Sequence, residues 1–383
     1  MIPVSDSSAA AESGSSGLRR FARHLSLPEF GEAGQEKLRR SRILCIGAGG
    51  LGSPVLMYLA AAGTGSIRIV DDDVVDLTNL QRQVLFTDAD IGLPKADAAA
   101  ARLRTIYPDI EVEPHRTRFL AANALSLADG CDLIIDGSDN FPTRYLSNDT
   151  AVILGIPNVY GSIFRYEGQA SVFAPKLGGP CYRCLFPVPP APGSVPSCAE
   201  GGVLGVLPGL IGMIQATEAI KLLTGIGEPL TGRMLHVDTR TMQFREFRLR
   251  RDPACPVCGE HPTITRPEDI DFSCELPAPD KQVETIDAAD FEKLLAAPPA
   301  GFLLLDVREK WEHLLTPWPH ATLAIPFSEL TARLEEVPGT PDLVVVCTIG
   351  ERSAEAARLL KEHGHSRVRH LRDGLRDLPS FGQ

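Results

Sequence analysis

From Arg42 onward the chain alternates short apolar runs with longer segments of helical period. Arg42–Ile46 reads as a buried strand, Pro54–Ala62 as a helix and Ser66–Val70 as a second strand. Lys95–Ile106 is an alanine-rich helix, Ile110–His115 a strand, and Asp132–Asp136 a further strand that ends in polar residues. Leu210–Leu223 adds an apolar helical stretch. Such alternation predicts an α/β fold, with a parallel sheet covered by helices on both faces. Ligands of such sheets sit at the carboxyl ends of the strands, where Asp71 and the loop Asp136–Asn140 fall.

The pattern changes after Cys258. His261–Asp280 holds four prolines and many acids with little periodicity, which marks a linker. A smaller α/β unit follows. Leu303–Leu305 is a strand ending in Asp306, Leu343–Val346 a strand ending in Cys347, and Ser353–His363 a helix. The predicted division is a disordered tail over 1–17, a first domain over 18–260, a linker over 261–282 and a second domain over 283–383.

A length of 383 residues suits two domains, each able to bury its own core. Lysine and arginine total 38 against 49 acids, a net charge of −11, which disfavours nucleic acid and anionic membrane as partners. The apolar stretch Val203–Ile214 is interrupted by Gly205, Pro208, Gly209 and Gly212 and is shorter than the roughly 20 residues of a membrane span. The Ser/Ala/Gly-rich start lacks the apolar core of a signal peptide, so the expected location is cytoplasmic.

Gly47, Gly49 and Gly52 fit G-x-G-x-x-G between a strand and a helix, a turn that lets phosphates approach the backbone. Asp71 follows at the spacing from which a carboxylate reaches ribose hydroxyls. Nicotinamide-dependent dehydrogenases share this much. Asn79, Arg82 and Lys95 point instead to ATP, because attack on an α-phosphate drives negative charge into departing pyrophosphate.

Two of the chemical signals are cysteines. Cys181-Tyr-Arg-Cys184 and Cys255-Pro-Val-Cys258 are knuckles that can close a tetrahedral four-thiolate site, which predicts structural zinc. Cys347 follows a strand and opens a helix in C-T-I-G-E-R-S, where backbone N–H groups and the helix amino terminus favour an anion and Arg352 adds a cation. Its C-x₄-R spacing differs from the C-x₅-R of tyrosine phosphatases. Cys45 and Cys131 read as small buried hydrophobes, and Cys274 carries no visible chemistry.

Taken together, G-A-G-G-L-G, D-L-T-N-L-Q-R-Q, G-L-P-K and D-G-S-D-N resemble the adenylyltransferases that activate ubiquitin-like proteins, the MoeB/ThiF type, from about Arg20 to Gly259. The Cys347 loop, with L-L-L-D-V-R-E and I-P-F-S-E-L, resembles a rhodanese, a domain that carries sulfur as a cysteine persulfide. The resemblance implies a Rossmann-like ATP-binding domain with a zinc site, fused to a smaller α/β rhodanese. It implies ATP held by Gly47, Gly49, Gly50, Gly52, Asp71, Thr78, Asn79, Arg82, Lys95, Asp139 and Asn140, with magnesium on Asp139. Arg23 matches an arginine that reaches the active site of a second subunit, which implies a homodimer. Cys198, in a Pro/Ser/Gly-rich loop, matches a cysteine that handles an acyl intermediate in some members of the family. Asp306 and Arg308 are read as structural.

The implied reaction is adenylation of the terminal glycine of a ubiquitin-like sulfur carrier (MoaD/ThiS-like, ending in Gly-Gly). Sulfur transfer from a Cys347 persulfide, loaded by a cysteine desulfurase or thiosulfate, then gives a thiocarboxylate for a pathway such as molybdopterin or thiamine synthesis. Three other readings stay open: a dehydrogenase, an adenylating enzyme whose rhodanese unit only binds a partner, and activation of a modifier for protein conjugation.

Overall fold

The first unit forms an eight-stranded sheet in the spatial order β3 (Glu111–His115), β2 (Ser66–Val70), β1 (Arg42–Ile46), β4 (Leu133–Asp136), β5 (Asn158–Phe164), β6 (Glu167–Phe173), β7 (Arg233–Asp238), β8 (Gln243–Arg248). The computed structural model describes residues 19–190, 202–270, 283–339, 342–379 and 381. β1 to β5 are parallel, and β6 to β8 continue antiparallel. Ile46 pairs with Val70 on one side and Asp136 on the other. The strand order therefore reverses at β1, and the crevice at its carboxyl end is where a doubly wound sheet takes its ligand.

Successive residues of β1 face opposite layers. Ile43 and Cys45 join one core with Ile67, Ile69 and the helix Gly52–Ala62, while Leu44 and Ile46 join another with Val70 and Ile134. Burial on both faces explains why β1 and β4 are nearly continuous apolar runs.

Val206–Thr224 is one unbroken helix, which contains the expected helical stretch Leu210–Leu223 and extends it by four residues at its start. A Cβ at Gly212 would lie 2.5 Å from Pro54 Cγ and 2.7 Å from the Leu51 carbonyl oxygen, so glycine there permits close packing on the helix Gly52–Ala62. Among the described residues it is the one helix long and apolar enough to cross a membrane, yet it packs on that helix and on β5 and β6.

The described residues fall into two compact units, one ending at residue 270 and one starting at 283. The second holds a fully parallel sheet of order β11-β10-β12-β13-β9. Its strands are β9 (Glu284–Ile286), β10 (Phe302–Asp306), β11 (Leu323–Ala324), β12 (Asp342–Val346) and β13 (Val368–Leu371). Asp306 and Val346 pair at the carboxyl edge, and Cys347 leaves β12 from there.

The tail 1–17, Cys198, Cys274 and residues 271–282 lie outside the described residues. Residues 261–270 of the segment read as a linker pack on the first unit. Ala121 N–H donates to Asp269 Oδ1 at 2.8 Å, and Ile264 packs beside the four knuckle cysteines.

A Cβ at Gly52 would sit 2.0 Å from the Gly47 carbonyl oxygen. Gly52→Ala should therefore destabilise the first unit by about 1–3 kcal/mol, the usual cost of overpacking. Chemical denaturation followed by circular dichroism checks this, and an unchanged midpoint would mean that the turn relaxes freely.

Candidate active sites

The turn after β1 is held from below by β2 and from the side by β4. Gly47 N–H donates to the Val70 carbonyl at 2.8 Å, and Ala48 N–H to Asp71 Oδ2 at 2.7 Å. Gly47 has φ +88°, and a Cβ there would meet the Gly137 carbonyl oxygen at 2.9 Å. The loop after β4 is braced in turn by buried Asp136, which accepts from Ser138 Oγ at 2.6 Å and Ser147 Oγ at 2.7 Å. Asp139 and Asn140 lie exposed beyond it. Asn140 Oδ1 accepts from Thr143 N–H at 3.0 Å, so it caps the helix Phe141–Leu154, a role the sequence reading had not given it.

Asp71 takes a second backbone donor, Asp73 N–H, on Oδ1 at 2.9 Å. Burial pushes its carboxyl above the ordinary range, against those two hydrogen bonds and the nearby charge of Lys95. Residues 73–75 zip to 92–95 through Val75 N–H to Leu93 O, Gly92 N–H to Val75 O, and Lys95 N–H to Asp73 O, at 2.8–2.9 Å. This places the nearly buried Lys95 Nζ 2.8 Å from Asp73 Oδ2, a partner the sequence reading missed. Arg82 folds back with Nη1 on the Thr78 carbonyl at 3.0 Å, and its Cγ is 3.7 Å from where a Cβ on Gly50 would be. Asn79 receives Arg82 N–H on its carbonyl. The glycine turn, Asp71, Thr78, Asn79, Arg82, Lys95 and the Asp139 loop thus converge at one end of the sheet. Arg23 is exposed on the short helix Ala22–Leu25 and is not bonded to this group.

The four knuckle sulfurs lie within 4.8 Å of one another, with Cys181–Cys184 at 3.9 Å, Cys181–Cys255 at 3.5 Å and Cys184–Cys258 at 3.4 Å. A tetrahedron of roughly 2.3 Å metal–sulfur bonds has edges of about 3.8 Å, so the donor set fits zinc with no open position. Arg183, inside the first knuckle, is almost fully buried and grips Asp149 through Nε at 2.9 Å and Nη2 at 2.8 Å. Tyr182 N–H donates to Asn148 Oδ1 at 2.7 Å. The knuckle is therefore bolted to the helix whose amino end carries Asp139 and Asn140.

In the second unit Cys347 is fully buried, and its Sγ accepts from Gly350 N–H at 3.2 Å and Ser353 N–H at 3.3 Å. Gly350 has φ +89°, and a Cβ would strike the Arg372 carbonyl oxygen at 1.9 Å. Arg352 does not offer the free charge expected of it. Its guanidinium pairs with Glu312 at 2.5 and 2.8 Å, and Thr348 Oγ donates to the same carboxylate at 2.6 Å. Burial opposes the charge on Glu312, yet bonds from Arg352, Thr348 and the Glu309 N–H hold its carboxyl down at about 2. Buried Asp306 and Arg308 pair at 2.8 Å, and Arg308 Nη1 donates to the Thr316 carbonyl at 2.9 Å, a structural pin.

Comparison with known families agrees with this geometry. The ThiF family profile matches residues 21–257 and the Rhodanese-like domain matches 287–378. The chain belongs to the ThiF family. This ThiF-family chain is 51% identical over 263 residues to "Sulfur carrier protein adenylyltransferase" of Thermus thermophilus, covering 68% of this chain and 97% of that one. It is 45% identical over 365 residues to "Probable adenylyltransferase/sulfurtransferase MoeZ" of Mycobacterium tuberculosis, covering 93% and 91%. It is 40% identical over 376 residues to "Adenylyltransferase and sulfurtransferase MOCS3" of Drosophila grimshawi, covering 94% and 83%. The ThiF fold is shared with the crystal structure of E. coli MccB bound to MccA-N7isoASN, at TM-score 0.56, 22% identity and 63% and 75% coverage.

Arg183→Met strands a buried carboxylate and should cost about 3–5 kcal/mol of stability. Zinc per chain, read by atomic absorption after dialysis, should fall with it; full zinc and an unchanged melting temperature would show that the pair is dispensable.

Glu312 has its carboxyl depressed in the folded state, so its contribution is complete above about pH 4.5 and lost as pH falls toward about 2. Glu312→Gln should flatten the acid limb of the second unit's stability between those values. A wild-type acid limb in that variant would rule the pair out as its source.

Proposed function

We propose that this chain adenylates the carboxyl-terminal glycine of a ubiquitin-like sulfur-carrier protein and then transfers sulfur to it. The enzyme is an adenylyltransferase and sulfurtransferase. The observation that carries this reading is the presence, in one chain, of two different anion-holding turns. One is a glycine turn ringed by Asp71, Arg82 and Lys95; the other is wrapped around the Cys347 sulfur itself. The names of relatives matched over 83–97% of their lengths support it.

A carboxylate oxygen of the carrier attacks the α-phosphorus of ATP, the bond to the β-phosphate oxygen breaks, and pyrophosphate leaves. Asn79, Arg82 and Lys95 hold the triphosphate and take up the charge that develops on the leaving group. Asp71 orients the ribose. Asp139 would hold magnesium, which when bound adds further charge stabilisation to the leaving group. In the second reaction a Cys347 persulfide attacks the acyl carbon and AMP departs, leaving an acyl disulfide. The Gly350 and Ser353 N–H groups stabilise sulfur anions at Cys347. Cys198 thiolate then attacks the Cys347 sulfur and releases the thiocarboxylate, and a thiol reductant supplies two electrons to the resulting disulfide.

Zinc on Cys181, Cys184, Cys255 and Cys258 is structural in this scheme. A second copy of the chain supplies Arg23, which makes the working form a homodimer. A cysteine desulfurase or thiosulfate loads Cys347. Thiols used as thiolates and persulfides require a reducing compartment, the cytoplasm.

Intact mass spectrometry tests the scheme with a Gly-Gly-ending carrier, ATP, magnesium and thiosulfate. The wild type should convert the carrier to a species with one oxygen replaced by sulfur. Arg82→Ala should slow adenylation roughly 10²–10³-fold, and Cys347→Ala should accumulate the AMP adduct without sulfur. Thiocarboxylate formed at the normal rate by Cys347→Ala would sink the sulfur-transfer role, and normal pyrophosphate exchange by Arg82→Ala would sink that of Arg82.

A further inference from the structure

Gln83 closes the turn that carries Asn79 and Arg82. Its backbone N–H and that of Arg82 both donate to the Asn79 carbonyl, at 2.9 and 3.0 Å. Its side chain turns inward toward the glycine loop. Gln83 is only 4% exposed, and its Nε2 lies 3.6 Å from the position a Cβ on Gly49 would take. Among the described residues Gln83 Oε1 is fully buried without a hydrogen-bond partner, and no hydrogen bond is made by Nε2.

A primary amide brings two donors and an acceptor, and burying it unpaired costs more than an apolar side chain of the same size. Packing alone therefore does not account for a glutamine here. The amide nitrogen sits where a phosphate chain cradled by Gly49 would offer oxygen acceptors, and a hydrogen bond to an ionised acceptor is among the stronger kinds. We propose that Gln83 is a nucleotide-binding residue whose Nε2 donates to a phosphate oxygen of ATP beside Gly49. This rests on the reading of the first unit as the ATP site.

The test measures ATP and adenosine binding to the full chain by calorimetry, together with the melting temperature without nucleotide, for wild type, Gln83→Leu and Gln83→Glu. Gln83→Leu should weaken ATP about 10–100-fold, the worth of one hydrogen bond to a charged group. Adenosine binding should stay within about twofold. The nucleotide-free melting temperature should rise, because the unpaired amide is gone. Gln83→Glu keeps the shape but replaces the donor with a carboxylate, and should weaken ATP at least as much.

Wild-type ATP affinity in Gln83→Leu would overturn the proposal. So would equal loss of ATP and adenosine with a lowered melting temperature, the signature of a purely structural residue. If the leucine variant does not fold, the isosteric glutamate variant decides by the same ratio of ATP to adenosine. A wild-type chain that binds neither ligand would overturn the nucleotide reading itself, independently of Gln83.

Discussion

The hydrogen bond from Ala48 N–H to the Asp71 carboxylate is the constraint on which the first site depends. It joins the turn after β1 to the end of β2, and it fixes the carboxylate from one side while Asp73 N–H fixes it from the other. Residues 73–75 are thereby aimed at 92–95, and their backbone pairing delivers Lys95 to the same place. The glycine turn, Asp71 and Lys95 share one rigid frame. Helix-to-sheet packing sets the depth of that frame, and Gly52 lets the helix start within contact of the Gly47 carbonyl.

The two units solve a common problem by similar means. Each brings a buried parallel strand to a turn with a glycine near φ +90°, and each opens a helix from that turn. In both, a neighbouring carbonyl (Gly137 beside Gly47, Arg372 beside Gly350) occupies the space a side chain would need. Backbone N–H groups left free by such turns form a concavity for negative charge. The first unit keeps that concavity for a ligand. The second fills it with its own sulfur, since Gly350 and Ser353 donate to Cys347.

Local order was legible in β1 to β4, β10 and β12, while β5 to β9, β11 and β13 were not anticipated. β1 and β2 fall where the apolar runs predict, and the other expected strands of the first unit shift by a residue, because strands buried on both faces carry their own signature. The four-cysteine cluster was legible for a different reason: thiol spacing encodes ligand geometry within each knuckle. What escaped were partners distant in sequence. Asp73 meets Lys95 across 22 positions, Asp149 meets Arg183 across 34, and Glu312 meets Arg352 across 40. No periodicity links such pairs, because they are products of sheet order and helix packing. Arg352 therefore reads as a free cation in the sequence and is a neutralised one in the fold.

Lys95 and Arg352 each carry a carboxylate partner, and the surroundings give the two pairs opposite consequences. Asp73 is 69% exposed while Lys95 is 6% exposed, so water solvates one partner and screens the pair. A phosphate, with more charge and more acceptors, can replace so weakly held a carboxylate without stranding it. Glu312 has only 10% of its side chain exposed and accepts four hydrogen bonds, two from Arg352 and one each from Thr348 and the Glu309 N–H. Displacing it would leave a buried charge unpaired, which is the costly way to break an ion pair. Lys95 is thus a cation available to a ligand. Arg352 is committed to shaping its loop, and the task of holding sulfur falls to the backbone.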